Sequence, residues 1–350
     1  MNAFLKEVLG QPEALGRVRD FYGGPGRELL GALGRLGQRR PAPHVVFTGM
    51  GSSLFAAYPA IRLLSERGVP ASMIETSELL HYHLGGLPAD AIVVLVSQSG
   101  ETIEVERLLH QLPARDRLVA VTNGSGSTLA RAGALALPME AGPPQQGVSA
   151  RAYHNTLAVL LLAAEALSGG TGLAERLGPA AEAMAVLLKG ADTLGAALDV
   201  FVGNPVNASL LARGPSLASA YQGALNLKEL AKFAAEPMSA AHFRHGPIEV
   251  ASPDHVSVIY APLCATFTLL RKLAEELLGF GTRVVFITDT QDGLQNPGSG
   301  LHVIRHGRLD ETLAPLVNLA PLQLLASARA ERLGFEVGRL GKAAAVMRVE

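Results

Sequence analysis

The stretch that most constrains the fold is AIVVLVSQSGET, residues 91–102. An unbroken apolar run rich in β-branched residues ends abruptly in polar residues and a glycine, and the helical pattern VERLLHQL follows directly. Such a run is typical of a buried strand, and a polar turn before a helical period is typical of a helix start. The stretch therefore predicts a buried strand, a tight turn and a helix in immediate succession.

The turn of this stretch predicts an anion site. The first backbone N–H groups of a helix are unpaired and carry a partial positive charge. Ser97, Gln98, Ser99 and Thr102 add hydroxyl and amide donors without adding a counter-charge. A phosphate monoester is the expected ligand. The alternative is that Ser99 or Thr102 only caps the helix.

Three further segments have a short β-branched run, a turn and then a helical or polar stretch. They are HVVFTGMGSSLFAAY from His44, PASMIETSELL, and RLVAVTNGSGSTLARAG. Alternation of this kind predicts a parallel sheet covered by helices on both faces. Residues 1–40 precede the pattern and predict two short helices.

The second half of the chain repeats the first. Placing residue 51 on residue 214 aligns GSSLFAAY with GPSLASAY, and the same offset lays IVVLV on HVSVI. We therefore predict an α/β fold of two tandem, doubly wound, flavodoxin-like domains, each a parallel sheet with helices on both faces. The predicted divisions are a helical lead-in at 1–40, domain one at 41–170, domain two at 195–335 and a tail at 336–350.

The two copies differ at their loops. Where domain one has Ser97-Gln98-Ser99-Gly100, domain two has Tyr260-Ala261-Pro262-Leu263, which offers neither a hydroxyl cluster nor free amides. The phosphate site is therefore predicted in domain one.

Composition excludes several classes of function. The 350 residues are 48% hydrophobic and 17% charged with a formal net charge of -1, which is typical of a packed globular protein and leaves no basic surface for nucleic acid. Cys264 is the only cysteine, the N-terminus lacks the apolar run of a signal peptide, and the apolar segment 157–164 is too short to cross a membrane. We expect a cytoplasmic protein without a membrane anchor. His242 and His245 lack the further ligands of a metal site, so neither a metal nor a cofactor is expected.

Several motifs together resemble the double sugar-isomerase (SIS) domain proteins. They are GMGSS, SQSGET, QGVSARAY, GALNLKE and FRHGP, with KEVLGQPEAL near the start and GKAAAVMRVE at the end. Relatives of similar pattern are the isomerase half of glucosamine-6-phosphate synthase, the tagatose-6-phosphate aldose/ketose isomerases and the fructosamine-phosphate deglycases. The resemblance implies tandem SIS domains and a phosphosugar ligand.

The resemblance also implies roles for individual residues. Glu229 matches the family's base, His245 matches the histidine that opens the sugar ring from the neighbouring subunit of a homodimer, and Lys342 matches a lysine near the sugar's C1 and C2. On the residues alone, Glu229 could instead be a solvated glutamate paired with a neighbouring lysine, and Lys342 part of a solvated terminus. The residues that match the phosphate and sugar loops are Gly51, Ser52, Ser53, Ser97, Gln98, Ser99, Thr102, Val148 and Ser149.

Three classes of function remain open. The first is an aldose–ketose isomerase of a phosphosugar, most simply an amino-sugar phosphate, that works through an enediol. The second is a sugar-phosphate deaminase or deglycase that releases an amine, and the third is a non-catalytic phosphosugar-binding protein. Gln222 and Asn226 replace a Glu and a Lys of the synthase pattern EGALKLKE, and Cys264 lies inside domain two and not at an N-terminal nucleophile position, so full synthase activity is not expected.

Overall fold

The computed structural model describes residues 1–350 except 39–40, 113–114, 144–146, 293, 295–297, 299, 343–345 and 349–350. The chain divides into two compact units, one of residues 13–178 and 340–350 and one of residues 1–12 and 179–339. No helix in the described part of the chain combines the length and the apolar composition needed to cross a membrane.

Each unit contains one five-stranded parallel sheet. The first sheet is formed by β1 (Val45–Gly49), β2 (Ala71–Glu75), β3 (Ile92–Val96), β4 (Leu118–Thr122) and β5 (Leu135–Pro138), in the order β2-β1-β3-β4-β5. The second is formed by β6 (Asn207–Ala212), β7 (Ala235–Ser239), β8 (His255–Tyr260), β9 (Arg283–Thr288) and β10 (Leu301–Arg305), in the order β10-β9-β8-β6-β7. Read from the opposite edge, the second order is the same as the first.

Helices connect the strands. Up to residue 190 they are α1 (Ala3–Leu9), α2 (Gln11–Gly23), α3 (Arg27–Gly37), α4 (Ser52–Phe55), α5 (Tyr58–Glu66), α6 (Thr76–Glu78), α7 (Ile103–Gln111), α8 (Thr128–Ala132), α9 (Ala150–Leu167) and α10 (Leu173–Leu188). After it they are α11 (Ala191–Val202), α12 (Leu217–Ala231), α13 (Ala240–Phe243), α14 (Phe267–Gly279), α15 (Pro315–Asn318) and α16 (Ala320–Arg332). Helices cover both faces of each sheet, which confirms the predicted fold class.

The central strands of the first sheet are buried along their whole length. Every residue of β1, β3 and β4 is buried, as expected of parallel strands covered on both faces. Helix α7 packs Val105 and Leu108 against Val93 and Leu95 of β3, and α9, itself buried along nearly its whole length, packs against α3 and α5. This packing fixes where α7 begins, and its first turn forms part of the site described below.

A buried ion pair joins two helices of the unit that contains the second sheet. The Arg329 guanidinium of α16 donates to Asp199 of α11 at 3.2 Å, and both side chains are about 95% buried. Helix α1 joins the same unit, since Asn2 donates to Ser327 at 2.8 Å and Gln11 of α2 donates to Gln323 at 2.8 Å. Residues 1–12 therefore belong with the second sheet.

The N-terminal residues differ from their sequence-based expectation. Three helices, α1 to α3, precede β1 where two were predicted. Turns at Gly10 and at residues 24–26 separate them, and Gly26 N donates back to Phe21 O at 2.8 Å. The predicted division of the chain into lead-in, two domains and tail stays a prediction, although the contacts group 340–350 with the first sheet.

Candidate functional site

A cavity of about 510 Å³ lies at the carboxyl end of the first sheet. The strand order places β1 and β3 side by side at the centre, with Gly49 paired to Val96 at their ends, so the loops that follow them are neighbours. The chain leaves these two strands toward opposite edges of the sheet, which is the position where open α/β sheets bind ligands. The residues that line the cavity are Met50, Ser53, Thr76, Val96, Ser97, Gln98, Ser99, Thr102, Val105, Asn123, Gly124, Gly147 and Val346.

Five of the predicted phosphate-site residues line this cavity together. They are Ser53 from the loop after β1 and Ser97, Gln98, Ser99 and Thr102 from the loop after β3. The hydroxyls and the amide of the SQSGET loop thus face one space, as the sequence predicted from the strand–turn–helix pattern. Their contact with a ligand stays a prediction.

The hydroxyl groups of this loop keep donors available. Ser97 Oγ accepts from Gly100 N at 3.2 Å and Ser99 Oγ accepts from Glu101 N at 3.2 Å, so each hydroxyl hydrogen can still point into the cavity. Thr102 occupies the N-cap position of α7, but its side chain makes no capping hydrogen bond. The alternative in which Thr102 only caps the helix therefore has no support in the geometry.

Gly100 allows the tight turn of the SQSGET loop. Its φ of +67° lies in the left-handed region, and a Cβ there would lie 2.3 Å from Ser127 Oγ. A side chain here would be strained by the positive φ and would require Ser127 to shift.

One helix amide is used differently from the prediction. Ile103 N, the first amide of α7, donates to the carbonyl of Met347 at 3.1 Å, so the C-terminal segment satisfies a donor that the sequence left unpaired. Val346, the preceding residue, lines the cavity. The tail of the chain thus forms one wall of the site.

The cavity is electrically neutral in its side chains. Of the described residues that line it, none carries an ionisable group. Negative charge would be stabilised by hydroxyls, amides and the N-terminal end of α7, an arrangement suited to anions without a salt bridge. The lining therefore favours a ligand that combines a phosphate group with a polar, uncharged body.

The remaining predicted loop residues lie beside the cavity. Gly51 (φ +51°) and Ser52 begin α4, and neither is among the lining residues. Val148 is buried, and Ser149 caps α9 by accepting from Ala152 N at 3.4 Å. Gly147, just before them, does line the cavity. Their predicted sugar contacts are not seen in the described geometry and stay predictions.

Sequence reasoning missed two polar lining residues. Thr76 follows β2 and receives a hydrogen bond from Thr48 at 3.1 Å, and Asn123 follows β4. Both stand where a strand of the same sheet ends. The rule that ligands bind at the carboxyl ends of parallel strands would have found them, once the strand order was known.

Glu229 belongs to the other unit, on α12. Burial raises the pKa of its carboxyl to about 7, although nearby Lys232 acts in the opposite direction. The side chain is half-buried and two residues from the helix C-terminus, where the helix dipole also disfavours a negative charge. A carboxyl with this pKa can both accept and return a proton near neutral pH.

Two buried amides precede Glu229 on the same helix. Gln222 lies two turns and Asn226 one turn earlier, both are almost fully buried, and the side-chain oxygens of both lack a hydrogen-bond partner among the described residues. They occupy the positions that the sequence comparison with the synthase pattern singled out.

The other predicted catalytic residues are exposed. His245 follows α13 in the same unit as Glu229, with its N–H donated to His242 O at 2.9 Å. Lys342 lies in the C-terminal segment that groups with the first sheet, and it is not among the described residues that line the cavity. Their catalytic roles stay predictions.

The described residues contain no group of three or more His, Cys, Asp or Glu side chains that could hold a metal ion. Cys264 is unpaired, and burial raises the pKa of its thiol.

Solved structures share this fold. The C-terminal domain of glucosamine-fructose-6-phosphate aminotransferase from Francisella tularensis superposes with a TM-score of 0.86 at 21% identity, covering 96% of this chain and 97% of that one. Tagatose-6-phosphate ketose/aldose isomerase from Escherichia coli gives 0.80 at 19% identity, with 97% of each chain covered. At these identities the likeness establishes the fold alone.

Curated sequences extend the similarity. Glutamine–fructose-6-phosphate aminotransferase (isomerizing) from Pseudomonas syringae pv. tomato is 29% identical over 335 residues, which cover 92% of this chain and 54% of the relative. The enzyme of the same name from Pseudomonas putida is 30% identical with the same coverage. The chain thus spans about half the length of these curated relatives. The SIS domain family matches residues 40–166 and 205–327, and the chain belongs to that family.

Proposed function

We propose that this protein is a phosphosugar aldose–ketose isomerase, acting most simply on an amino-sugar phosphate. The observation that carries the proposal is the neutral cavity at the centre of the first sheet, where Ser53, Ser97, Ser99 and Thr102 present hydroxyls to one space. A phosphate monoester fits such donors because hydroxyls and helix amides stabilise its charge without a competing cation. The similarity to sugar-phosphate enzymes supports the same ligand class.

The chemical step is assigned to Glu229. Aldose–ketose conversion removes a proton α to a carbonyl and returns it to the neighbouring carbon through an enediol, so one carboxylate on one face of the sugar performs both transfers. A carboxyl with a pKa of about 7 is partly ionised at neutral pH and is also acidic enough to give the proton back. The raised pKa supports this role over that of a solvated, lysine-paired glutamate.

His245 is proposed to open the sugar ring in the site of a second copy of the chain. Its exposed position supports a role at a subunit contact. Mixing inactive Glu229→Gln chains with inactive His245→Ala chains should then restore activity, because one site of each heterodimer combines both intact residues. Confirmed heterodimers that remain inactive would place His245 outside the neighbouring site.

Lys342 is proposed to contact the open-chain carbonyl. Val346, four residues further along the tail, lines the cavity, and this supports a contact between the tail and the ligand. Turnover that is unchanged in Lys342→Ala would remove the lysine from the mechanism.

Amine release is the second candidate reaction. Gln222 and Asn226 place uncharged amides where the synthase pattern has Glu and Lys, which favours a reaction other than that of the synthase. A deaminase or deglycase would use the same enediol chemistry and expel nitrogen.

A substrate screen tests both reactions together. Phosphorylated hexoses, hexosamines, N-acetylhexosamines and fructosyl-amino acids are incubated with the protein, and ketose formation and amine release are measured in parallel. We expect turnover of a phosphorylated sugar and none of its unphosphorylated form. Calorimetry that gives equal affinity for glucose and glucose 6-phosphate would contradict the phosphate site, and phosphate-dependent binding without turnover would indicate a non-catalytic binding protein.

A further inference from the structure

Glu101 is the one acidic residue of the SQSGET loop, and it is not among the described residues that line the cavity. Its two carboxylate oxygens are instead bound by a single residue of the segment after β4. Thr128 N donates to Oε1 at 2.7 Å and Thr128 Oγ1 donates to Oε2 at 2.9 Å. The side chain thus turns away from the neighbouring Ser99 and Thr102, which do line the cavity.

This two-point contact joins the two loops that carry cavity residues. The segment 123–128, which leads into α8, contributes Asn123 and Gly124 to the lining. Backbone bonds add to the contact, because Asn123 N donates to Gln98 O at 3.1 Å and Leu129 N donates to Gly100 O at 3.1 Å. Of these hydrogen bonds between the two loops, only those to Glu101 involve a charged side chain.

The two loops are in close contact at Gly124 and Ser99. A Cβ on Gly124 would lie 2.9 Å from Ser99 O. Ser99 would therefore move if the segment 123–128 shifted. An arrangement of this kind needs a strong contact to hold it, and charge-assisted hydrogen bonds are the strong ones.

The charge of Glu101 makes its location unexpected. The backbone N–H and the hydroxyl of Thr128 lower the pKa of its carboxyl, which keeps the carboxylate ionised. A negative charge in the loop that receives a phosphate opposes ligand binding by Coulomb repulsion. The carboxylate of Glu101 is therefore expected to weaken phosphate binding, unless its contact with Thr128 has a compensating effect.

We propose that Glu101 is a positioning residue, which holds the segment 123–128 against the SQSGET loop through Thr128 and so sets the shape of the phosphate pocket. The inference rests on the proposed phosphate site. A positioning role and a purely electrostatic role of Glu101 predict opposite changes in phosphate affinity when the residue is replaced. If Glu101 acted only through its charge, neutralising it would strengthen phosphate binding, whereas loss of a positioning contact weakens it.

The test compares variants by calorimetric titration with inorganic phosphate and with fructose 6-phosphate. Glu101→Ala, which removes both bonds to Thr128, should weaken both affinities by roughly tenfold, and Thr128→Val, which loses only the hydroxyl bond, by roughly threefold. Thr128→Ser keeps the hydroxyl and should bind like the unaltered protein. Glu106→Ala, which removes an exposed charge from the first turns of the same helix, is the matched control and should bind equally well or more tightly.

Two further measurements separate positioning from general destabilisation. The double variant Glu101→Ala/Thr128→Val should bind no more than about twofold more weakly than Glu101→Ala alone, since both changes break one contact. In turnover assays KM should rise while kcat stays within about twofold. Should Glu101→Ala not fold, the Thr128→Val and Thr128→Ser pair decides the question.

The possible failures are distinguishable. Unaltered protein that binds neither probe would contradict the proposed phosphate site itself. Unaltered protein that binds both probes, with Glu101→Ala or Thr128→Val binding as tightly or more tightly, would overturn the positioning role and leave the phosphate site standing.

Discussion

The two sheets have the same strand order, but the residue that follows the fourth strand in sequence is Asn123 in the first sheet and Asp289 in the second. Asn123 must bond in two directions, since it donates to Gly142 O at 2.8 Å and accepts from Ala141 N at 3.1 Å. The Asn123 amide supplies both the donor and the acceptor, whereas an ionised carboxylate could only accept.

Asp289, in contrast, needs only acceptors, because each of its carboxylate oxygens accepts a hydrogen bond from a backbone N–H group. Leu263 N donates at 2.7 Å and Leu309 N at 3.4 Å, and the side chain is fully buried. Leu263 belongs to the loop after β8, which matches the SQSGET loop of the first sheet. In the second unit a carboxylate of the chain therefore accepts from the amides of that loop and of the loop after β10, whereas in the first unit the described residues that line the cavity carry no charge.

This difference explains why equivalent edges do not have equivalent tasks. Uncharged lining residues with hydroxyl donors can accept a phosphate from outside, whereas in the second unit the carboxylate of Asp289, which also pairs with Arg308 at 3.7 Å, already occupies the backbone donors. The second unit contributes Glu229, whose pKa of about 7 suits proton transfer. The proposed function places binding in the first unit and chemistry in the second, and the predictions below test that proposal.

The largest expected effect is the loss of chemistry in Glu229→Gln. The amide cannot accept a proton, so exchange of the sugar C2 hydrogen with solvent should fall by about 10² to 10⁴. Calorimetric affinity for the phosphosugar should stay within about twofold, because binding is assigned to the other unit. Glu236→Gln, at an exposed glutamate of the same unit, is the control and should exchange normally. Unchanged exchange in Glu229→Gln would move the proton shuttle elsewhere.

The second prediction gives Asn123 of the first sheet the residue type of Asp289, which follows the equivalent strand of the second sheet. Asn123→Asp introduces the negative charge of the second edge into the cavity and should weaken phosphosugar binding by roughly 10- to 100-fold. Asn123→Ala loses both hydrogen bonds without adding charge, whereas Asn123→Asp can still accept from Ala141 N, so weaker binding by Asn123→Asp than by Asn123→Ala reports the electrostatic part. Equal affinities for the two variants in calorimetry would show that a neutral edge is unimportant.

The third prediction concerns pH. Only ionised Glu229 can accept a proton, so kcat/KM should decrease about tenfold per unit as pH falls below the pKa of about 7. Because Lys232 lowers that pKa, Lys232→Met should move the acidic limb to higher pH. A profile that is flat between pH 5 and 8, or a limb that moves to lower pH in the variant, would contradict the assignment of the base.

Local patterns made much of the fold predictable. The run IVVLV, the polar turn and the helical period after it fix β3, its loop and α7 because each signal comes from a few adjacent residues. The same locality explains why Ser97, Gln98, Ser99 and Thr102 were found together.

Distant contacts account for what the sequence did not reveal. Asn123 joins the cavity only through the strand order, and the carbonyl of Met347 reaches Ile103 N from the far end of the chain. The pKa of Glu229 depends on burial that no short motif encodes. Before residue 40, the break at residues 24–26 adds a third helix that the alternating apolar clusters did not separate.

The smallest expected effect is the reverse exchange, Asp289→Asn, which should change stability and not ligand binding. An asparagine oxygen can still accept from Leu263 N, but its NH₂ group then faces the N–H of Leu309, so one buried donor loses its acceptor. The expected cost is about 1–3 kcal/mol in the free energy of unfolding, measured by urea denaturation. Asp292→Asn, at an exposed position nearby, is the control and should unfold like the unaltered protein.

If the second edge lacks a phosphate site only because of its carboxylate, Asp289→Asn would gain a second phosphate-binding event in calorimetry. We expect none, because the loop Tyr260-Ala261-Pro262-Leu263 has only one side-chain hydroxyl, and that of Tyr260 is buried. A single binding event in the variant would thus show that both the neutral edge and the hydroxyl loop are needed, while two events would reduce the difference between the sheets to one residue.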